Sequence, residues 1–277
     1  MTPFDVASSQ SATENRHFHF GIPLRARAVT LDWGLACRNL NRTLEALRRQ
    51  TCPDFRVLVA CHEIPDVDTS GLDIEFVMAD FDPPAAIDEK GQPGNDKPAK
   101  KRLLGMAMKA SMGEASYFMH LDADDLVHPT LVEATLSDDN RLGYLIERGY
   151  MLDCASGLVG RMDATFSEFW RHCGSCAVIH LTRDDLPAKL SDNICYFTQF
   201  KKHAEYANTA ADHGRPLSTY PQPMAIYLVN HGENDVSAYR GKIDVKSKYV
   251  SRAQITDEEE LARIIHHFPM LAGFVKR

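Results

Sequence analysis

The chain has 277 residues, 44% of them hydrophobic and 25% charged, with a formal net charge of −7. This is the composition of a soluble globular protein with a sizeable core, and its acidic balance excludes a nucleic-acid binder that works through a general basic footprint. No apolar run reaches the ~18 residues of a membrane span, and "MTPFDVASSQSATENR" lacks the charged and apolar regions of a secretory signal, so the expectation is a frayed tail over 1–16, a cytoplasmic protein and at most peripheral membrane contact.

Three strand-like runs come early. "HFHFGIPLRA" (His17 to Ala26) is followed by "GLACRNLNRTLEALRRQT", in which Leu35, Leu40, Leu44 and Leu47 recur near helical spacing. "FRVLVACHE" (Phe55 to Glu63) is an almost unbroken apolar stretch, of the kind parallel sheets bury on both faces, and "LDIEFVMAD" (Leu72 to Asp80) follows it. A long loop rich in Pro, Gly and Asp spans Phe81 to Lys100, and a helix then runs through "AKKRLLGMAMKASMG".

The next stretch, "SYFMHLDADDLVHP" (Ser116 to Pro129), sends an apolar strand into three carboxylates, Asp122, Asp124 and Asp125. Close carboxylates repel one another unless something positive sits between them. The order β-α-β-β-α-β predicts an open, mostly parallel α/β sheet, and ligands of such sheets bind beyond the strand C-terminal ends, where these carboxylates fall. Carboxylate oxygens suit a hard cation, Mg²⁺ or Mn²⁺. The bland alternative is that one Asp caps the next helix, with Pro129 as its first residue.

The second half is less regular. "GYLIERGYMLD" and "SCAVIHL" read as strands and Phe197 to Ala211 as a helix; "TDEEELARIIHHFPMLAGFVKR" opens with a capping box, Thr256 and Glu259, and carries an apolar stripe, Leu261, Ile264, Ile265 and Phe268. The seven cysteines are odd in number and irregularly spaced, several inside apolar runs, which fits reduced thiols; "CGSC", Cys173 to Cys176, reads as two semi-buried thiols leading into a strand, since no second CxxC or His pair completes a zinc site.

In this order of elements, and in "LDADD" at Leu121 to Asp125, the chain resembles the GT-A glycosyltransferases, family 2 in particular, which place such a DxD motif at the end of an apolar strand. "RLLG" (Arg102 to Gly105) and "ASMGEASY" (Ala110 to Tyr117) resemble that family's "RNxG" helix and "A.GEY", and "HGRPLSTYPQPMAIYLVNHGENDVS" resembles its late "G....Y.P.P...YR.H..N.S". The resemblance covers about residues 17–237. It implies a single GT-A domain over 17–277, with a nucleotide-binding half at 17–128, an acceptor-side half at 129–250 and a C-terminal helix at 251–277.

The resemblance further implies transfer of a sugar from a UDP- or GDP-linked donor to a glycan or lipid-linked hydroxyl acceptor, with inversion, in surface glycan synthesis. Asp122, Asp124 and His231 are the implied metal ligands for Mn²⁺ or Mg²⁺, with Asp122 also touching the ribose and Asn234 nearby. Pro23, Leu24, His62 and Glu63 stand where the family meets the nucleotide, and Arg102 is the candidate for the diphosphate. The family's "ED" base pair is absent; His203, Glu205 and Asp185 are the candidate bases, with Asp184 and Asp192 behind them. Two alternatives remain: a GT-A module that binds without turnover, and a haloacid-dehalogenase-type phosphatase, whose DxD normally lies nearer the N-terminus.

Overall fold

The computed structural model describes residues 17–85, 94–233 and 243–276. The N-terminal tail, the middle of the long loop and Asn234 lie outside the described residues. Strand β1 (Phe18–Pro23) leads into helix α1 (Trp33–Arg48), then β2 (Phe55–Cys61), β3 (Ile74–Met78), α2 (Lys97–Ser111) and β4 (Ala115–His120), matching the predicted order. These four strands lie parallel in the order β3-β2-β1-β4. Their near-continuous apolar sequence is explained by burial from both sides: Phe18, Phe20, Ile22, Val57, Leu58, Val59 and Phe118 are all fully buried. Helix α1 supplies one cover, with Leu40, Leu44 and Leu47 also at 0% exposure; truncating any of them to Ala would cost about 2–5 kcal/mol.

The sheet extends past β4 through β9 (Ala177–Thr182), β6 (Tyr144–Leu145) and β10 (Ser218–Thr219), making seven strands, among which only β9 runs against its neighbours. A second sheet holds β5 (Leu126–Val127), β11 (Ala225–Val229), β7 (Gly149–Asp153) and β8 (Leu158–Met162), in that order. The molecule is thus a mixed α/β fold whose principal sheet is mostly parallel and flanked by helices.

The later elements depart from the sequence reading in four places. "GYLIERGYMLD" is two strands in two sheets: Ile146 N–H donates to Cys176 O at the end of the first, and Gly149 begins the second where a Cβ would come within 2.3 Å of the Phe169 ring. The helix predicted from Phe197 is broken into α4 (Tyr196–Gln199), a 3-10 turn (His203–Glu205) and α5 (Tyr206–Asp212). Folding back brings Phe200 within ring contact of both Tyr196 and Tyr206, at centroid distances of 5.0 and 5.2 Å. Pro129 precedes α3 (Leu131–Asp138) rather than starting it, its carbonyl being taken by Thr51 N–H at 2.9 Å.

The fourth departure is in the C-terminal cap. Two more helices follow, α6 (Ile243–Arg252) and α7 (Glu258–His267). The N-cap of α7 is Asp257, which accepts from Glu259 and Glu260 N–H, so the Thr256 box does not form; a charged carboxylate there also meets the positive helix end. Ile264 and Phe268 are buried in an apolar cluster with Leu126, Leu152, Ile226 and Leu228 of the second sheet, so the stripe on α7 docks on the body. Among the described residues no helix is long and apolar enough to cross a membrane.

Candidate functional site

Strand order reverses between β1 and β4, which opens a crevice beyond their C-terminal ends. The acidic loop Asp122–Asp125 sits there. Its backbone is tied from three sides. Leu121 N–H donates to Gly21 O at 3.0 Å, and Asp122 N–H donates to Ser175 Oγ at 2.9 Å. On the third side, Thr43 Oγ of α1 lies 3.0 Å from both the Ala123 and Asp125 carbonyls.

Each carboxylate has its own partner. Lys97 Nζ donates to Asp122 Oδ1 at 2.6 Å, with 41% of the Lys97 side chain exposed. Burial alone would raise the Asp122 pKa, but the ammonium of Lys97, then Lys101 and His203, hold it below the usual carboxylate range. Asp125 is fully buried; Ser175 Oγ–H donates to its Oδ2 at 2.6 Å and Cys173 Sγ lies 3.0 Å from the same atom. Its Oδ1 has no partner among the described residues. Burial first, and then Asp124 and Asp122, push its pKa well above the ordinary value.

Asp124 is bound through a chain of oriented hydrogen bonds. Arg42 Nη1 donates to Asn39 Oδ1 at 2.7 Å, and a guanidinium only donates, so the amide of Asn39 faces the other way. Asn39 Nδ2 therefore donates to His231 Nδ1 at 2.9 Å, which leaves the imidazole proton on Nε2, donating to Asp124 Oδ2 at 2.7 Å. Both Asn39 and His231 are buried.

This settles how the loop tolerates its charge: an ammonium on Asp122, an N–H on Asp124 and two neutral donors on Asp125. It also bears on the expected metal centre. Among the described residues no group of three His, Cys, Asp or Glu side chains is arranged to hold a metal ion. His231 has no lone pair at Nε2 to offer in this tautomer, and Asp125 is fully buried with its Oδ2 carrying two donors, so the part-exposed Asp122 and Asp124 are the accessible oxygen ligands. The donor set does not fit the three-ligand centre expected from the sequence.

Helix α2 brings up the cations. Its first turn holds Lys97 and Lys100 and no acidic residue, and Lys101 follows directly. Lys100 is wholly buried, paired with Asp96 at 2.6 Å and donating to Leu24 O at 2.6 Å, so it pins α2 to the end of β1. Lys101 Nζ donates to Tyr206 Oη at 2.9 Å; burial and then the neighbouring Lys97 pull its pKa down to about 8. Arg102, the sequence candidate for the diphosphate, lies about 100° round the helix from Lys101, its Nε buried and unpartnered. The cation that meets the DxD loop is Lys97 instead.

The remaining candidates separate into near and far. Pro23 and Leu24 end β1 beside the acidic loop, where Leu24 N–H donates to Ala60 O. His62 at the end of β2 donates from Nε2 to Phe81 O at 3.0 Å and stands edge-on to that ring, and Glu63 accepts from Arg27 N–H. His203 donates from Nδ1 to Trp170 O at 2.7 Å, which leaves the Nε2 lone pair free, and it is close enough to Asp122 to act on that carboxylate. Glu205 is exposed and paired with Lys202. Asp185 accepts from Thr182 N–H and Oγ–H and from both ends of the Arg215 guanidinium, so its carboxylate is engaged in a structural clamp. Asp192 caps the Ala188–Lys189 turn, and Asp184 is exposed.

Three contributors went unrecognised in the sequence, Asn39, Ser175 and Cys173, while Lys97 stood in the basic run Lys97 to Arg102 from which Arg102 was preferred. Lys97 had a signal, its i, i+4 spacing to Lys101 just ahead of the DxD strand. "CGSC" is the wall of the acidic loop rather than an incidental pair of thiols; a Cβ on Gly174 would stand 3.2 Å from Asp122 Oδ2, so a glycine permits the approach.

No family model and no curated protein matches the chain. Among solved structures it is similar to S. aureus TarS, with a TM-score of 0.38 and 13% identity over 91% of this chain and 42% of that one. It is also similar to the glycosyltransferase GlyE of Streptococcus pneumoniae TIGR4 (0.35, 10%, 91% and 63%). A third is the galactosyltransferase LgtC in complex with donor and acceptor sugar analogs (0.36, 13%, 89% and 99%). The chain thus spans less than two thirds of TarS and of GlyE. These likenesses are of general arrangement, and the chemistry of the site is read from its own residues.

Proposed function

We propose that the protein is a glycosyltransferase with a single GT-A-type domain over 17–277, moving a sugar from a UDP- or GDP-linked donor to a hydroxyl on a glycan or lipid-linked acceptor. The observation that carries this is the LDADD loop at the strand-order reversal, facing two lysines of α2 across the crevice. A nucleoside diphosphate needs cations for its phosphates and acceptors for its ribose hydroxyls, and this crevice offers both. The ends of β1 and β2, with Pro23, Leu24, His62 and Glu63, form the side for the nucleoside.

His203 is the acceptor base in this reading, because its free Nε2 can take a hydroxyl proton while Trp170 O fixes the ring. One base and one leaving group make a single displacement, hence inversion. A Mg²⁺ or Mn²⁺ ion, if it entered, would have only Asp122 and Asp124 among the described residues to hold it, short of the three ligands the resemblance implies. Seven free thiols suit a cytoplasmic enzyme acting in surface glycan synthesis. The phosphatase alternative is weaker, because a nucleophilic Asp122 would first have to shed Lys97.

Titration calorimetry with UDP and GDP, on wild type and Asp124→Ala, tests the reading. Micromolar-range binding of one nucleotide and its loss in the variant are expected, followed by release of that nucleotide from a sugar donor when an acceptor is added. Binding with no release across a broad donor and acceptor panel would support the non-catalytic module instead.

A further inference from the structure

The carboxylate expected to be the leading metal ligand, Asp122, already faces a full positive charge. We propose that the Lys97 ammonium occupies the place of a divalent cation in this site and itself takes up charge on the departing diphosphate, so that donor binding needs no metal; this rests on the glycosyltransferase reading above.

Four observations carry it. Lys97 Nζ is 2.6 Å from Asp122 Oδ1, and the side chain remains 41% exposed, so an ammonium with three donors keeps two for an incoming phosphate. The other carboxylate oxygen, Oδ2, faces Gly174, where an added Cβ would stand 3.2 Å from it. Asp124 Oδ2 is covered by the Nε2 proton of His231, in a tautomer set by Asn39 and Arg42, and Asp125 Oδ2 is covered by Ser175 and Cys173.

The fourth observation is the placement of cations at the start of a 15-residue helix. Lysines at a helix start oppose the helix dipole, and α2 places Lys97 and Lys100 in its first turn, with no acidic residue there, and Lys101 directly after. Lys100 is spent on Asp96 and Leu24 O. Lys97 and Lys101 are left facing the crevice together with the positive helix end, an arrangement that an anion relieves.

In the transfer step the bond from the anomeric carbon to the phosphate oxygen breaks, and its electron pair stays on that oxygen, where Lys97 balances the charge. The acceptor oxygen forms the new bond to the anomeric carbon, and its proton passes to His203 Nε2.

The experiment is titration of UDP and GDP into wild type, Lys97→Met and Lys97→Arg, each in EDTA and each with Mn²⁺, with thermal unfolding of all three proteins as a control on folding. Wild type is expected to bind one nucleotide in EDTA within about threefold of its affinity with Mn²⁺. Lys97→Met is expected to weaken metal-free binding by about 10- to 100-fold while remaining folded at the titration temperature, and Lys97→Arg to retain most of it. Wild-type binding that disappears in EDTA and returns with Mn²⁺ overturns the proposal while leaving the glycosyltransferase reading intact. Metal-free binding by Lys97→Met equal to wild type overturns it as well. Absence of nucleotide binding by wild type in every condition overturns both readings together.

Discussion

His231 reaches across the molecule to donate its Nε2 proton to Asp124, and the direction of that bond is decided by Asn39, 192 residues away in the chain. The tautomer can be read directly: long-range ¹H–¹⁵N spectra of the histidine rings should show His231 with a protonated Nε2 and a bare Nδ1. Asn39→Asp replaces the donor with an acceptor and should flip the proton to Nδ1, turning a lone pair toward Asp124. That variant should bind Mn²⁺ measurably more tightly than wild type, by about tenfold, because it creates the ligand that wild type lacks. A variant with an unmoved tautomer would show that Asn39 does not govern the ring.

Ser175 serves two masters, accepting from Asp122 N–H and donating to Asp125 Oδ2. Ser175→Ala leaves a backbone donor and a buried carboxyl short of partners at once. The expected cost is about 1–3 kcal/mol of stability in denaturant unfolding, with nucleotide affinity falling alongside. Ser175→Thr, which keeps the hydroxyl, should recover most of the binding.

Much of this was legible in the chain before any coordinates. The alternation of β1, α1, β2, β3, α2 and β4 is written in local apolar runs, each long enough to carry its own period, and the carboxylates of "LDADD" advertise their place at a strand end. What the sequence concealed are relationships with no local trace. Strands β5, β6 and β10 are two residues each, too short to show alternation, so the second sheet and the splitting of "GYLIERGYMLD" could not be read. His231 was visible as a residue of the site, yet its role turned on a tautomer that depends on Arg42 and Asn39. Arg102 was preferred over Lys97 by its match to a motif, whereas helix geometry decides which cation of "KPAKKR" faces the crevice.

Lys101 gives the site a pH dependence. Its pKa, brought down to about 8, is faced by Lys97, Asp122, Cys176 and Tyr206. Below pH 8 the ammonium is present and favours a diphosphate; as pH rises through 8 it is lost, so nucleotide affinity should fall. Folding stability should move the opposite way. Between about 8 and the ordinary 10.5 the unfolded chain holds this proton and the native one does not, so stability gains with pH over that window. The comparison is wild type against Lys101→Met, by calorimetry and by denaturant unfolding from pH 7 to 10; parallel curves for the two proteins would remove Lys101 from the account.

His203, Glu205 and Asp185 were the candidates for the base, and their surroundings differ. Asp185→Asn loosens the clamp on Arg215 and the Thr182 turn, with an expected loss of about 1–2 kcal/mol in stability, moderated by the partial exposure of Arg215, and little change in turnover. His203→Gln keeps a donor for Trp170 O but has no base, so sugar transfer should drop by about 10²–10⁴-fold with nucleotide affinity retained. Unimpaired transfer by the His203 variant would send the search for the base elsewhere.

The walls of the acidic loop come from widely separated stretches of chain: Thr43 from α1, Lys97 from α2, Ser175 just ahead of β9 and His231 just after β11. A polypeptide leaving the ribosome therefore carries Thr43 and Lys97 ahead of its aspartates, but Ser175 and His231, the donors to Asp125 and Asp124, only well after them. Until β9 slots in antiparallel beside β4, the three carboxylates crowd one strand end with only α1 and α2 beside them, and that pairing must close against their repulsion. Nucleotide affinity would then double as a gauge of maturity, silent through most of synthesis and switching on only when the last walls are in place.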